Sequence, residues 1–233
     1  MKKICGFTES EIGSFRNTLI HKGYLYIDNL PEGFDHFRFA QEFGKLTPQY
    51  DGNIIWSIKA DKKFDDHYHS LNTKKLSPHT ECYEFPGIPP NYLALWCDVP
   101  ATCGGGQTTL LDVLPFFNSL DSSEQEAAEN EAIKFVSSSG IQSSALGVEA
   151  KHCLVTSRDG EAPLIRFSRN CVENSSAIID SIANKLVEEF ESKHDAIHWK
   201  KNAFLIWDNQ RVVHSRTEFS DRGRELKRVW LVK

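Results

Sequence analysis

Leu76-Ser77-Pro78-His79-Thr80-Glu81 is the stretch around which the rest of the chain is organised. Side chains on an extended segment alternate faces with period two, so the His79 imidazole and the Glu81 carboxylate point to the same side. One metal ion can then take both. Alone, an H-x-E triplet is a weak signal, because it also occurs as an exposed polar strand end in many soluble proteins. A third donor is found far downstream in Ile206-Trp207-Asp208-Asn209-Gln210-Arg211-Val212-Val213-His214, where His214 sits in an apolar stretch followed by several arginines. Two imidazoles and one carboxylate on one face, with the opposite face open, suit a non-heme Fe(II) site.

The bulk properties leave room for such a site. A chain of 233 residues is within the range of a single domain with a substantial core, and we expect one compact unit over residues 1–233. Its formal charge of −5, with no block of like charges, gives no footprint for a nucleic acid or an anionic membrane, and a small-molecule partner is expected. No apolar run reaches the ~20 residues needed to span a bilayer, and Met1-Lys2-Lys3-Ile4 is followed by polar residues rather than a signal-peptide core. Six scattered cysteines without a C-x-x-C pair read as reduced thiols, which points to the cytoplasm. No pattern reports on oligomeric state.

Residues 1–50 read as a scaffold. Thr8-Glu9-Ser10-Glu11 is a capping box ahead of an amphipathic helix ended by Gly23. Tyr24 to Asp28 reads as a strand, and Phe34 to Phe43 as a second short helix closed by Gly44. Residues 51–233 read as a β core with a helical insert. A strand is expected over Ile54 to Ile58. A polar loop follows over Asp61 to Lys75, whose His67 and His69 are competing ligands or, more simply, solvated. Tyr92 to Cys97 is a buried strand. Gly104-Gly105-Gly106-Gln107-Thr108 permits close backbone approach or unusual dihedrals, and it lacks the Lys-Ser/Thr of a phosphate loop. Pro115 to Val136 contains a helix with Glu124, Glu126, Glu129 and Glu131 on its solvated side, and the serine-rich Ser137 to Ala150 reads as a mobile loop. Lys151 to Ser168 fits a hairpin turning at Asp159-Gly160, and Ser175 to Ser192 a helix with an apolar stripe. Strands are expected over Ala203 to Trp207, around His214, and from Arg224 to Leu231. Many short strands with a few helices outside them indicate a mainly β, jelly-roll-like core.

Arg224 and Arg228 are four residues apart on the last of these strands, so both guanidinium groups share a face. Cations facing a β core need anions there, and beside the metal they would hold a carboxylate through a bidentate fork; otherwise they are solvated or pair with Glu218 and Asp221.

His79-Thr80-Glu81, the glycine-rich run some thirty residues on, Ile206-Trp207-Asp208-Asn209 with His214 five residues later, and the Arg224/Arg228 strand occur in one order over residues 76–232. Together they resemble the taurine dioxygenase and clavaminate synthase-like superfamily of Fe(II)/2-oxoglutarate oxygenases. That resemblance implies a double-stranded β-helix, the jelly roll of cupin-like proteins, in which His79, Glu81 and His214 hold iron. It implies that Thr108, or Thr109 beside it, and Arg224 bind the distal carboxylate of 2-oxoglutarate, and that Arg228 holds an anionic group of the substrate, although the two arginines can exchange roles. Dioxygen is then the co-substrate, and oxidative decarboxylation is coupled to attack on a C–H bond. Halogenating relatives have a small residue where the carboxylate stands, so Glu81 implies hydroxylation, desaturation or cyclisation, of an amino acid or a derivative. Asn72, Arg166 and Arg169 are substrate-contact candidates from polarity near predicted strand ends. The rival readings are a metal-dependent hydrolase or isomerase on a similar β core, and a non-catalytic small-ligand binder. Neither explains paired inward arginines with a threonine beside the glycines.

Overall fold

The computed structural model describes residues 3–173 and 175–233; Met1 and Lys2, part of the N-terminal stretch read above, lie outside them. Two antiparallel sheets line one interior. The larger runs in the order Tyr24–Ile27, Phe204–Asp208, Tyr92–Val99, Glu225–Val232 and Lys45–Thr47, with Trp56–Lys59 also paired to Glu225–Val232. The smaller runs Asp195–Ile197, Thr108–Asp112, Val212–Arg216 and Leu76–His79.

Strand alternation sorts the side chains. Leu93, Leu95, Leu205, Trp207, Leu226 and Trp230 of the larger sheet pack with Leu110, Ile197 and Val212 of the smaller into a shared core. Their neighbours Ala94, Trp96, Phe204, Ile206, Val229 and Leu231 face the other way and are covered by Ile12, Leu19, Phe39 and Phe43. The period of two thus accounts for both layers. The Glu9–Lys22 helix begins at the expected capping box and ends at Gly23, whose φ of 81° suits glycine and where a Cβ would lie 2.8 Å from Val212. Behind the smaller sheet, the Ala177–Lys193 helix buries Ile179, Ile182, Leu186 and Phe190 against Phe135, Phe167 and Val213.

Several segments differ from the sequence expectation. The second N-terminal helix is only His36–Ala40. Gly44 then passes so close to the last strand that a Cβ there would lie 2.6 Å from the Val232 carbonyl. Residues 115–136 hold two short helices, Leu114–Ser119 and Ser122–Asn130, and a strand, Ile133–Val136. Glu124, expected on the solvated side, is buried and meets Lys185 at 2.5 Å. The expected loop at 137–150 contains a helical turn, Ser139–Ser143, and joins Glu149–His152, which pairs with Ile133–Val136. Serine and glycine mislead there because Gly140 is a packing residue: a Cβ at it would fall 2.5 Å from His69. The 151–168 hairpin exists, but its paired strands are only Val155–Thr156 and Leu164–Ile165. The N-terminal stretch is more than scaffold, since two of its strands belong to the larger sheet. Among the described residues the six cysteines are free, and no helix is long and apolar enough to cross a membrane.

Candidate active site and metal centre

His79 closes its strand and is the direct antiparallel partner of His214. Cross-strand partners present side chains on the same face, and these two rings lie with centroids 4.2 Å apart. Glu81 lies just past the strand end, not within it. The strand end is tied down where Thr80 N donates to Phe167 O at 2.9 Å and Thr80 Oγ1 accepts from Phe167 N, and Glu81 opens the turn that follows. Glu81 Oε2 is 4.0 Å from His79 Nε2 and 3.9 Å from His214 Nε2. One donor atom from each of the three falls within 4.8 Å of the others.

These donors have the chemistry of a metal site. His79 Nδ1 lies 2.8 Å from the Ser77 carbonyl. A carbonyl only accepts, so Nδ1 holds the proton and Nε2 keeps its lone pair toward Glu81. Burial lowers the pKa of both imidazoles, His214 most strongly, which keeps them neutral. Trp207 lies against His214 at 4.9 Å between centroids. Glu81 is held from two directions. Its backbone N–H donates to Asn209 Oδ1 at 2.7 Å and its carbonyl accepts from Asn209 Nδ2 at 3.0 Å. Its Oε1 accepts from Arg228 Nη1 at 2.7 Å, and Arg228 Nε donates to Gln49 Oε1 at 2.8 Å. Oε2 is thereby left facing the two imidazoles.

Two cavities meet at this triad. The inner one, between the sheets, is lined by His79, Glu81 and His214 together with Thr108, Arg216, Arg224 and Arg228. Arg224 donates to Gly106 O from Nε at 3.1 Å and from Nη2 at 2.8 Å, and lies over the Phe219 ring. Its Nη1 is buried with no partner among the described residues. The glycines make this possible, since a Cβ on Gly106 would sit 2.7 Å from Arg224 Nε and one on Gly105 2.1 Å from Glu218 O. Burial pulls the pKa of Arg224 down to about 10, still charged at neutral pH. Thr108 Oγ1 accepts from Trp199 Nε1 at 3.1 Å. An unpartnered guanidinium nitrogen in a buried cavity beside the triad fits a carboxylate of a bound keto acid. The outer cavity shares His79, Glu81 and Arg228 and is walled by Tyr50, Trp56, Tyr68 and Tyr83.

A model of the taurine catabolism dioxygenase TauD, TfdA family matches residues 7–230. The chain belongs to this family. It is an Fe(II)- and 2-oxoglutarate-dependent dioxygenase, and its His-Glu-His set fits the iron. No curated protein matches it by sequence. Its fold is similar to that of an asparagine oxygenase solved with Fe(II), 2S,3S-3-hydroxyasparagine and succinate, with a TM-score of 0.84 at 15% identity over 97% of this chain and 80% of that one. It is also similar to the non-heme iron oxygenase OrfP. The TM-score is 0.74 at 17% identity, over 98% of this chain and 81% of that one, for a mutant complex with (3S)-hydroxy-L-Arg. It is 0.72 at 16% identity, over 98% and 82%, for the complex with Fe and alpha-ketoglutaric acid.

The structure brings His79, Glu81, His214, Thr108, Arg224 and Arg228 of the dioxygenase together and leaves the other candidates elsewhere. Thr109 is buried but does not line either cavity. Asn72 is also buried, and its amide is used within its own loop, donating to His67 O and accepting from Lys74 N and Arg216. Arg169 stands outside, bonded to Asn184 and 3.9 Å from Asp180 of the Ala177–Lys193 helix. Arg166 donates to Gly87 O and lines neither cavity. The histidine loop is not simply solvated: His69 is buried, stacked on Phe64 at 3.9 Å, and accepts from Leu71 N.

Four residues around the site escaped the sequence reading. Gln49 and Tyr50 lie in the N-terminal part and follow no pattern. Glu84 falls in a proline- and aromatic-rich stretch. Arg216 was legible in principle, two residues after His214 and therefore on the same strand face. Its guanidinium donates to Ser70 O, Asn72 Oδ1 and Lys74 O, fastening the histidine loop over the inner cavity.

Proposed function

We propose that this dioxygenase couples decarboxylation of 2-oxoglutarate to hydroxylation or desaturation of a small, amino-acid-like substrate bearing an anionic group. The observation that carries this is the position of the triad between two unlike cavities, a basic inner one and an aromatic outer one. In this reading the two sheets are the halves of a double-stranded β-helix in a single oxygenase domain, the cupin-type jelly roll.

His79, Glu81 and His214 would hold the iron from one side. Iron, 2-oxoglutarate and dioxygen together supply the oxidising power, with succinate and carbon dioxide as by-products. The chain supplies position. Arg224 and Thr108 bind the distal carboxylate of 2-oxoglutarate, the arginine through its unpartnered Nη1. Arg228, with Nη1 on Glu81 and Nε on Gln49, fixes the carboxylate ligand and presents Nη2 to an anionic group in the outer cavity. Leu93, Leu95 and Trp207 give the inner cavity an apolar wall, and low polarity around a charge strengthens such contacts. The relatives solved with hydroxylated asparagine and arginine support an amino-acid substrate.

The test is a succinate-release screen of free amino acids and their small derivatives with Fe(II), 2-oxoglutarate and oxygen. Stimulation by at least one amino acid, dependent on His79, is expected. Release stimulated only by compounds without an anionic group would overturn the reading.

A further inference from the structure

Glu84 is 1% exposed and lines the outer cavity with Glu81. The chain reverses between these two residues because Cys82 adopts a left-handed φ of 59°, rare for a residue with a side chain, and Phe85 N donates back to Cys82 O at 3.1 Å. That reversal brings two carboxylates three residues apart to one cavity. Glu81 faces the imidazoles, and Glu84 faces the aromatic wall.

Only one oxygen of Glu84 is satisfied. Oε1 accepts from Tyr50 Oη at 3.3 Å and Ser137 Oγ at 3.0 Å. Oε2 is buried with no partner among the described residues, and no lysine or arginine there pairs with this carboxylate. Arg228, the guanidinium of the same cavity, directs Nη1 to Glu81 and Nε to Gln49 rather than to Glu84. A buried carboxylate oxygen without a donor is unfavourable until one arrives, and the opening through which one can arrive is the outer cavity. Tyr50, Trp56 and Tyr68 present aromatic surface there, which favours a cation over a neutral group.

We propose that Glu84 Oε2 is the recognition point for a protonated nitrogen of the substrate, an ammonium or a guanidinium, held between that oxygen and the aromatic wall. This rests on the reading of the outer cavity as the substrate site. It narrows the substrate to a molecule with an anionic end for Arg228 and a cationic nitrogen for Glu84. The nitrogen is either the α-ammonium of an amino acid or a side-chain cation.

Anaerobic titration of the Fe(II)·2-oxoglutarate enzyme with four probes tests it: L-arginine, L-citrulline, Nα-acetyl-L-arginine and methylguanidinium. The charge-transfer absorption of the complex reports cosubstrate binding, and calorimetry reports the probe. L-Arginine should bind about 10- to 100-fold more tightly than one of its two singly uncharged analogues. Citrulline as the weak one identifies a side-chain cation, and acetyl-arginine an α-ammonium. In Glu84→Gln, which keeps an acceptor for Tyr50 and Ser137, that gap should collapse while 2-oxoglutarate affinity stays at the wild-type level. The wild-type comparison needs no variant, so the test survives a misfolded mutant. Equal binding of arginine and both analogues, or a gap that persists in Glu84→Gln, overturns the assignment and leaves the amino-acid reading intact. Glu84-dependent binding of methylguanidinium alone keeps the assignment and removes the amino-acid reading. Binding of none of the four overturns the assignment, and the amino-acid reading then rests on the succinate-release screen.

Discussion

Arg224 holds its charge between the sheets with one nitrogen unpartnered, while the triad a short distance away is built from other strands. Cosubstrate binding and metal binding are therefore separable by single substitutions. Arg224→Ala should weaken 2-oxoglutarate by about 2–5 kcal/mol, roughly 30- to 4,000-fold, because a buried anion loses the partner proposed for it, while Fe(II) content stays near wild type. Titrating the charge-transfer band with 2-oxoglutarate measures the first and metal analysis the second. Glu84 has a different signature. Burial lifts its pKa from 4.5 to about 7, with the nearby Glu81 adding to the rise and Ser137 and Tyr50 opposing it. The folded metal-free chain thus holds this proton more tightly than the unfolded chain. Its contribution to stability is complete below pH 4.5 and fades as the pH rises through 7. Glu84→Gln should accordingly raise the melting temperature at pH 8 and change it little at pH 4, as read by thermal scans at the two values.

At the scale of the element, the inner cavity depends on how closely the glycine-rich turn approaches the last strand. Gly106 has a φ of 73° and no room for a Cβ beside Arg224. Gly106→Ala should lower stability by about 1 kcal/mol or more and weaken 2-oxoglutarate, because the added methyl displaces the guanidinium proposed to hold it. Paired melting curves and cosubstrate titrations check this. The Ala177–Lys193 helix is the contrast. Leu186 is fully buried in the cluster behind the smaller sheet and touches neither cavity. Leu186→Ala should cost about 2–5 kcal/mol in chemical denaturation and leave 2-oxoglutarate affinity unchanged at temperatures where the protein remains folded.

For the molecule as a whole, the site joins parts of the chain that share no local structure: a strand end at 79–81, the turn at 106–108, strand partners at 214 and 216, and the final strand from 225. Ligands that bridge them stabilise the fold by binding only its native state. Metal and 2-oxoglutarate, each at about 100 times its dissociation constant, should together raise the melting temperature by roughly 10–20 °C. His79→Ala should remove most of that shift, since the keto acid loses the metal it chelates. A shift retained in full without His79 would count against a site shared by the two.

Residue types and order were enough to single out side chains that the fold gathers into one site. A histidine and a carboxylate two apart, a distant histidine and two arginines four apart stand out as candidate donors and cations from residue type and local spacing, although Glu81 and Arg224 each lie just outside the strand that carries their partner. Helix ends such as Thr8 and Gly23 are equally local. Tertiary structure decided what depends on approach between distant segments. It buried Asn72 in its own loop, turned Arg169 outward to a helix, tied Arg228 directly to Glu81 and to Gln49, and left Glu84 with one unpaired oxygen. A polar side chain's partners are set by whichever backbone or charge packing brings within about 3 Å, and that distance is a property of the folded whole.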